Sequence, residues 1–366
     1  MTQVLLEELI DSDIDWMTAT GHKQQISANQ PLICQGDVPK ALYVVLEGEL
    51  VASLTDDPSS TLGRALSAIA DNPKREVSRF SVGDVIGETS VLGKAHSPLT
   101  IQPSEAALVL VLPYDRMQEH LRQDLAFAAR FYRAIAILSL QRFERLLTDS
   151  AHRKGIQLLP LQDGPLLFGE LNDRDVDWMI QHASIQQVAA EQVLISAGRL
   201  AETLYIVLQG LLSISFVESQ PSAMTAIFDR LQGNSAPVGR EIARVSRGEI
   251  VGEPALLNAR LSNFTVKASE PSVLFTLSRQ ELLLKLQQDP AMAARFYRML
   301  SILLSSRLQG LISRLGYGQQ PYRLGQSLSA AAQYENELDD ELLDSLTLGG
   351  ARFDWMLKRL NVRGAS

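Results

Sequence analysis

The chain has 366 residues, a length that favours two domains and allows a third. Its 34 basic and 42 acidic side chains give a formal net charge of −8, which argues against a general affinity for DNA or anionic membranes. A single cysteine excludes an internal disulfide and is typical of a reducing compartment. No apolar run reaches membrane-spanning length and no signal peptide pattern opens the sequence, so we expect a soluble, cytoplasmic protein without a membrane span.

The sequence contains an internal repeat. Four blocks recur in the same order, the first two at an offset of 162 residues (178 − 16) and the last two at an offset of 165 (295 − 130). The pairs are Asp13–Met17 with Asp175–Met179, Leu42–Gly48 with Leu204–Gly210, Gly87-Glu88 with Gly252-Glu253, and Arg130–Arg133 with Arg295–Arg298. Four colinear blocks indicate a duplicated domain.

Each copy is predicted to begin with a short helix, around Trp16 or Trp178, and to continue with short strands and glycine-containing turns. The strands predicted in the first copy are Pro31–Cys34, Leu42–Leu46, Glu49–Leu54 and Ala107–Leu112. Such strands favour a barrel or jelly roll over a parallel sheet. A capping box at Ser278–Glu281 is predicted to open a helix that ends at Gln288. Longer closing helices are predicted over about Asp124–Leu147 and Pro290–Leu315.

These elements predict a first domain over residues 1–150, a linker over 151–169, a second domain over 170–318 and a flexible acidic tail over 319–366. Each copy also carries an insert with the pattern of a short amphipathic helix, at residues 58–74 and 221–239. The inserts are either surface loops that pack on their own domain or contacts for a partner.

A Gly-Glu turn joins a strand to a short helix in each copy, at Gly87-Glu88 and at Gly252-Glu253. The N-terminus of a helix behind such a turn offers free N–H groups to an anion. This pattern resembles the phosphate-binding cassette of cyclic nucleotide-binding domains, including the cyclic AMP receptor-like (Crp–Fnr-type) sensor domains. The resemblance implies a mainly β fold with two double-stranded β-helix (jelly-roll) domains in tandem, each with closing α-helices.

In this family the glutamate accepts from the ribose 2′-OH, and an arginine followed by a small residue binds the cyclic phosphate. Counting nine residues beyond the glutamate places Ser97 and Ser262 at the arginine position. The ligand-facing positions that the resemblance implies are Gly87, Glu88, Thr89, Ser97 and Thr100 in the first copy, and Gly252, Glu253, Ala255, Ser262 and Thr265 in the second. Lys94, His96 and Arg260 are either substitute cations, Arg260 foremost, or exposed loop charges. Because the arginine is absent twice, we expect weak or absent cyclic nucleotide binding and no other cofactor.

The end of the chain has the pattern of an amphipathic helix. Ala351–Leu360 places Phe353, Met356, Leu357 and Leu360 on one face, with Trp355 beside them. This segment either docks on the second domain or binds a partner protein, and we predict the second, a detachable docking element. No helix-turn-helix pattern follows the second closing helix, so we expect no direct DNA binding.

The sequence does not point to an enzyme. Its five histidines are dispersed without metal-ligand spacing, and nucleophile-elbow and P-loop motifs are missing. Two hypotheses follow: a non-catalytic regulatory or adaptor protein that binds a protein partner, or a sensor of cyclic AMP or cyclic GMP. Apolar stripes on the closing helices predict a homodimer, because such helices often pair subunits in this family. Alternatively, these stripes are covered within one chain.

Overall fold

The computed structural model describes residues 4–54, 75–93, 97, 99–149, 168–216, 239–258, 262–312, 340–360 and 362. Both inserts, apart from residue 239, and the predicted linker up to residue 167 lie outside this part of the chain. The described residues fall into two compact units, one within Met1–Leu146 and Leu304–Glu335 and the other within Leu147–Leu303 and Asn336–Ser366. Among these residues, none of the helices has the length and apolar character needed to cross a bilayer.

The elements of the first repeat are α1 (Val4–Glu8), α2 (Asp11–Thr20), β1 (His22–Ile26), β2 (Ala41–Glu47), β3 (Leu50–Leu54), β4 (Arg75–Phe80), β5 (Val85–Ile86), α3 (Glu88–Val91), β6 (Thr100–Pro103), β7 (Ala107–Pro113), α4 (Tyr114–Gln123) and α5 (Leu125–Asp149). The second repeat and the end of the chain contain α6 (Asp173–His182), β8 (Ser184–Val188), β9 (Val193–Ile195), β10 (Thr203–Gln209), β11 (Leu212–Phe216), β12 (Arg240–Val245), β13 (Ile250–Val251), α7 (Pro254–Leu257), β14 (Phe264–Ala268), β15 (Ser272–Ser278), α8 (Arg279–Gln288), α9 (Pro290–Ile312) and α10 (Asp340–Arg359).

Each repeat folds into two antiparallel sheets. Their strand orders are β1-β7-β2-β5 with β4-β3-β6 in the first repeat, and β13-β10-β15-β8 with β12-β11-β14-β9 in the second. The core of the second unit lies between its sheets, where one apolar cluster draws side chains from all eight strands, among them Val207 and Leu212. The predicted mainly β, jelly-roll architecture with flanking helices is confirmed.

The two repeats differ at one predicted strand. In the second repeat β9 pairs with β14 through Ile195 and Val193. The counterpart Pro31–Cys34 forms only an isolated bridge, between Ile33 and Ile101. Pro31 occupies the position of Val193 (193 − 162) and has no N–H to donate to a ladder, which explains the shorter pairing.

The ends of the predicted helices also show one difference. Helix α5 forms within two residues of its predicted ends, and α9 begins at the predicted Pro290, whereas its predicted end at Leu315 lies outside the described residues. The capping box is wrong, because Ser278 precedes α8 without a side-chain cap hydrogen bond. Ser278 is the last residue of β15, where its backbone is paired with Thr203. A reciprocal box instead opens α6, where Asn172 Oδ1 accepts from the Asp175 N–H at 2.9 Å and Asp175 Oδ2 accepts from the Asn172 N–H at 3.0 Å.

In each unit, two of the repeated sequence blocks meet in an ion pair. The pair joins the helix that precedes the strands (α2 or α6, the lead helix) to the closing helix (α5 or α9). Arg130 donates through Nε to Asp13 Oδ2 at 2.6 Å and through Nη2 to Asp13 Oδ1 at 2.7 Å. Arg295 holds Asp175 in the same two-bond geometry, at 2.6 and 2.9 Å. We call these two pairs the helix clamps. The carboxylates are buried, and these hydrogen bonds are the main reason why the pKa values of Arg130 and Arg295 lie above the ordinary arginine value.

The second arginine of each Arg-Phe-Tyr-Arg block binds a glutamate in the helical segment just before α2 or α6. Arg133 pairs with Glu8 and Arg298 pairs with Glu170. Burial raises the pKa of the Glu8 carboxyl, and the Arg133 guanidinium opposes that rise. The first and last repeated blocks therefore contact each other, and the same contact occurs in both repeats.

The apolar stripes of the closing helices are largely covered in the single chain, with Leu146 and Leu308 half-buried. Leu140, Phe143, Leu304 and Leu311 are all buried. The predicted homodimer stays a prediction, and these residues would not be its accessible surface.

Residues 340–359 form α10 in the second unit, so the amphipathic helix predicted over Ala351–Leu360 begins earlier, within the acidic stretch that was expected to be flexible. Of the five predicted docking residues, Phe353, Met356 and Leu357 are buried, while Trp355 remains 38% exposed and Leu360 half-buried. Phe353 packs on Phe168 with 5.5 Å between ring centroids. Because the unit buries this apolar face, a partner reaches these three residues only after α10 has left its place.

Candidate ligand-binding cassettes

Both Gly-Glu turns depend on glycine for steric reasons. Gly87 has a φ of +85° and Gly252 a φ of +95°, in the left-handed region that side chains disfavour. A Cβ on Gly87 would lie 2.6 Å from the carbonyl oxygen of Ala41, and a Cβ on Gly252 would lie 2.5 Å from that of Thr203. The backbone geometry of the turn therefore accounts for both glycines, with or without a ligand.

In the first cassette, Glu88 is paired with an arginine from the closing helix. Arg142 of α5 donates through Nη1 to Glu88 Oε1 at 3.3 Å and through Nη2 to the Val85 carbonyl at 2.7 Å. Its guanidinium also lies 3.8 Å from the Asp84 carboxylate and 4.7 Å from the centre of the Phe80 ring. The Arg142 and Glu88 side chains are only 14% and 15% exposed, so solvent screens this contact less than a surface pair.

Ser97, at the arginine position of the first cassette, is turned into the protein. It is 6% exposed, and its hydroxyl donates to the Leu99 carbonyl at 2.8 Å. Its N–H donates to the Asp37 carbonyl at 2.7 Å, and its carbonyl accepts from the Gly36 N–H at 2.8 Å. Ser97 thus connects the cassette to the turn at residues 36–37 through two backbone hydrogen bonds.

Ser262 repeats this arrangement in the second cassette. Its hydroxyl donates to the Phe264 carbonyl at 2.9 Å and accepts from the Phe264 N–H at 3.0 Å. Its N–H donates to the Arg199 carbonyl at 2.9 Å, and its carbonyl accepts from the Gly198 N–H at 2.8 Å. The same residue type therefore performs the same local task in both repeats.

Two further predicted positions, Thr100 and Thr265, also accept hydrogen bonds from the backbone. Thr100 Oγ1 accepts from the Gln35 N–H at 3.0 Å, and its counterpart Thr265 Oγ1 accepts from the Ala197 N–H at 3.2 Å. Glu253 is 4% exposed.

The buried Ala255 offers its carbonyl to Arg279 Nε at 2.7 Å. Thr89 lies in α3, between Glu88 and Ser90. Lys94, His96 and Arg260 lie outside the described residues.

Arg142 was not among the site residues predicted from the sequence. The signal was present, because the position that corresponds to it at the offset of 165 is Arg307, also an arginine on a closing helix (307 − 142). The described residues contain no group of three or more His, Cys, Asp or Glu side chains placed to hold a metal ion. Over their described residues, the cassettes thus present backbone turns and serine and threonine side chains that bond within the fold.

Two sequence matches identify the fold family. The model of the cyclic nucleotide-binding domain matches residues 23–124 and again residues 185–289, together more than half of the chain. The chain therefore belongs to the cyclic nucleotide-binding domain family and carries two such domains in tandem. The predicted family is confirmed.

No curated protein sequence matches the chain. Among solved structures, the chain is similar to the regulatory domain of Toxoplasma gondii PKA crystallised with cAMP (18% identity, 84% of this chain and 92% of that chain covered, TM-score 0.29). It is also similar to the regulatory subunit of a cAMP-independent protein kinase A from Trypanosoma brucei (15%, 79% and 86%, TM-score 0.26). The catabolite activator protein of Thermus thermophilus is 23% identical, with 42% of this chain and 62% of that chain covered and a TM-score of 0.31.

Proposed function

We propose that the protein is a non-catalytic regulator that acts by binding another protein, and that its two cassettes do not hold cyclic AMP or cyclic GMP at micromolar concentration. The observation that carries the proposal is the state of the arginine position. In both cassettes a serine stands there, and its hydroxyl donates to a backbone carbonyl two residues further on.

The energetic consequence is large enough to matter. Losing a charge-assisted contact to a partly buried phosphate costs about 2–4 kcal/mol, or roughly tens- to several-hundred-fold in affinity. In the first cassette, a ribose hydroxyl also competes with Arg142 for Glu88. A cyclic nucleotide would therefore meet a serine at the arginine position of either cassette and, in the first, a glutamate that is already engaged.

The test is calorimetric titration of the purified full chain with cyclic AMP and cyclic GMP. We expect no saturable heat at ligand concentrations up to roughly 100 µM, given the missing contact. Saturable binding at low micromolar ligand that disappears in the Glu88→Ala or Glu253→Ala variant would contradict the proposal.

A gain-of-function variant provides the matched control. The double substitution Ser262→Arg with Asn263→Ala restores the arginine and small residue of the family pattern in the second cassette. We expect this variant to acquire binding, and the further change Glu253→Ala to remove it. Its titration shows that the assay detects a working cassette.

One observation supports a second candidate, a cyclic nucleotide sensor. Arg142 connects the closing helix to Glu88 and to the Val85 carbonyl, so a ligand that takes Glu88 would weaken the hold of α5 on the cassette. Under this alternative, Arg142→Ala strengthens nucleotide binding, because it frees the glutamate. Under the adaptor function, Arg142→Ala leaves the chain without measurable binding.

A further inference from the structure

The second unit shows how a helix is held on the surface of a lead helix. Arg352 of α10 donates through Nε to Asp173 Oδ1 at 2.7 Å and through Nη1 to the Phe168 carbonyl at 3.1 Å. Seven positions further on, Arg359 pairs with Asp177, one turn along α6. Two arginines thus match two aspartates that are spaced four residues apart.

Apolar contacts complete this binding surface. Phe353 covers Phe168, which is fully buried, and Met356 and Leu357 of α10 are buried beside it. Arg247 adds a charged contact, 3.6 Å from the Asp354 carboxylate and with its guanidinium 5.8 Å from the centre of the Phe353 ring. The surface formed by Phe168, Asp173, Asp177 and Arg247 is named the α10 dock.

The first unit carries the counterpart of the α10 dock. At the offset of 162, Leu6 corresponds to Phe168, Asp11 to Asp173 and Asp15 to Asp177; at the offset of 165, Val82 corresponds to Arg247. Ile10 joins this set as the counterpart of Asn172. We name the five residues Leu6, Ile10, Asp11, Asp15 and Val82 the first-unit dock.

The first-unit dock is open. Leu6 is 63% exposed, Ile10 52% and Val82 46%, whereas Phe168 in the second unit is fully buried. Asp11 and Asp15 are exposed, and within the described part of the chain neither carboxylate forms a salt bridge. Two like charges four residues apart on a helix repel each other, and bound arginines relieve that repulsion in α6. Three exposed apolar residues and two exposed acidic residues therefore occupy the positions that correspond to the α10 dock and to the adjoining Asn172.

We propose that the first-unit dock binds an amphipathic helix of a partner protein with the chemistry of α10. That helix carries two arginines seven positions apart, an aromatic residue after the first arginine and an adjacent aliphatic pair between them. The inference deepens the proposed function in protein–protein interaction, because it names the class of partner. Val82 replaces Arg247, so the partner residue at the position of Asp354 is apolar rather than acidic.

A labelled peptide tests this inference on the full chain. The probe is a synthetic peptide of residues 340–360 in which Asp354 is changed to Leu, and binding is followed by fluorescence anisotropy. We expect saturable binding to one site per chain, about tenfold weaker for the unchanged peptide. Leu6→Asp and Asp15→Lys in the chain should each weaken binding by about tenfold or more.

Glu105→Lys provides the matched control. Glu105 is an exposed acidic residue in the turn between β6 and β7, and its substitution changes the net charge as Asp15→Lys does. We expect it to leave peptide binding unchanged. Circular dichroism and the melting temperature of each variant show whether the chain is still folded.

Four results would overturn the inference. They are no saturable binding up to roughly 1 mM peptide, equal binding to the Leu6→Asp chain, loss of binding in Asp177→Lys but not in Asp15→Lys, and a dimer of the chain that Leu6→Asp dissociates. The third result places the peptide on the α10 dock, and the fourth identifies the occupant as a second copy. The nucleotide titrations do not involve the first-unit dock, so this inference and the proposal about the cassettes can fail separately.

Discussion

Helices α2 and α6 are counterparts in the two repeats. Their inner sides make the same contact with an arginine of the closing helix, but their outer sides differ. Asp13 and Asp175 each accept two hydrogen bonds from one arginine of a closing helix. On the outer side, α10 covers the neighbourhood of α6, whereas Leu6 and Ile10 beside α2 are exposed. The buried contact is fixed by charge pairing and geometry, and the surface is where the duplicated units differ.

The two cassettes show a similar contrast. Both keep the left-handed glycine and the inward serine. In the first, Arg142 from the closing helix reaches the Gly-Glu turn, and in the second, Arg279 at the start of α8 binds the carbonyl of Ala255. Each cassette therefore has an arginine that binds one of its backbone carbonyls, that of Val85 in the first and that of Ala255 in the second.

Breaking a helix clamp should have the largest effect on stability. Asp13→Ala and Asp175→Ala each leave an arginine without its buried carboxylate and remove the acceptor of the N–H before the lead helix. We expect a loss of about 3 kcal/mol for either variant and a fall in the melting temperature of roughly 6–12 °C. Thermal denaturation followed by circular dichroism measures both.

Asparagine at these positions distinguishes the loss of the ion pair from the loss of the hydrogen bond that caps the lead helix. Asp13→Asn and Asp175→Asn keep an oxygen that accepts the backbone N–H but lose the charge, so they should recover only part of the loss. If the two alanine variants lose less than about 1 kcal/mol, the helix clamps do not contribute to the stability of the repeats.

Gly87→Ala should have the next largest effect. The substitution adds the strain of a left-handed alanine to a clash with the Ala41 carbonyl, and we expect a loss of about 2 kcal/mol in the free energy of unfolding by urea. Gly36→Ala is the matched control, because Gly36 has a φ of +87° but no atom within 4 Å of the added Cβ. Its loss should be about 1 kcal/mol. Equal losses in the two variants would show that the backbone near Ala41 moves away from the added Cβ without lowering the free energy of unfolding.

The repeats and the family were accessible from the sequence, because duplicated blocks and short strands are local patterns. The blocks around Trp16 and Phe131 were recognised, but sequence offsets alone do not reveal that Asp13 and Arg130 touch, 117 residues apart. The predicted capping box was wrong because Ser278 belongs to strand β15 and pairs with Thr203. The inward direction of Ser97 depends on a turn more than 50 residues earlier, which no local pattern encodes.

Removing the contacts of α10 should have a moderate effect that is confined to the second unit. Phe353→Ala uncovers Phe168, and we expect a loss of about 1–2 kcal/mol, because detachment of the helix limits the cost. The arginine pairs are partly exposed, so α10 should be released more readily as ionic strength rises. Limited proteolysis between residues 313 and 339, followed by the mass of the retained fragment, measures release.

Trp355→Ala is the control for Phe353→Ala, because Trp355 is 38% exposed and its removal should cost less than about 0.5 kcal/mol. A chain that ends at Gly318 extends the test. The sequence pattern alone predicts an unchanged melting temperature for it, whereas the packing of α10 predicts a fall of a few degrees in the second unit. An unchanged melting temperature would show that α10 contributes no stability.

Apart from the control variants, the smallest expected effect depends on pH and concerns the start of α9. Asp289 Oδ1 accepts from the Met292 N–H at 3.0 Å and Oδ2 accepts from Lys285 Nζ at 3.0 Å, and the backbone hydrogen bond is the main cause of the lowered pKa of Asp289. A carboxylate with a lowered pKa stabilises the folded state above its unfolded pKa of about 3.9, and the contribution is lost as pH falls through the folded pKa. Asp289→Ala should therefore cost about 1 kcal/mol at neutral pH and progressively less below about pH 4, as urea unfolding at each pH would show. The counterpart Asp124 caps α5 in the same way, but His120, which stacks on a tryptophan, stands in place of Lys285. A cost of Asp289→Ala that stays constant from pH 7 to pH 3 would mean that the charge of Asp289 adds nothing to its cap.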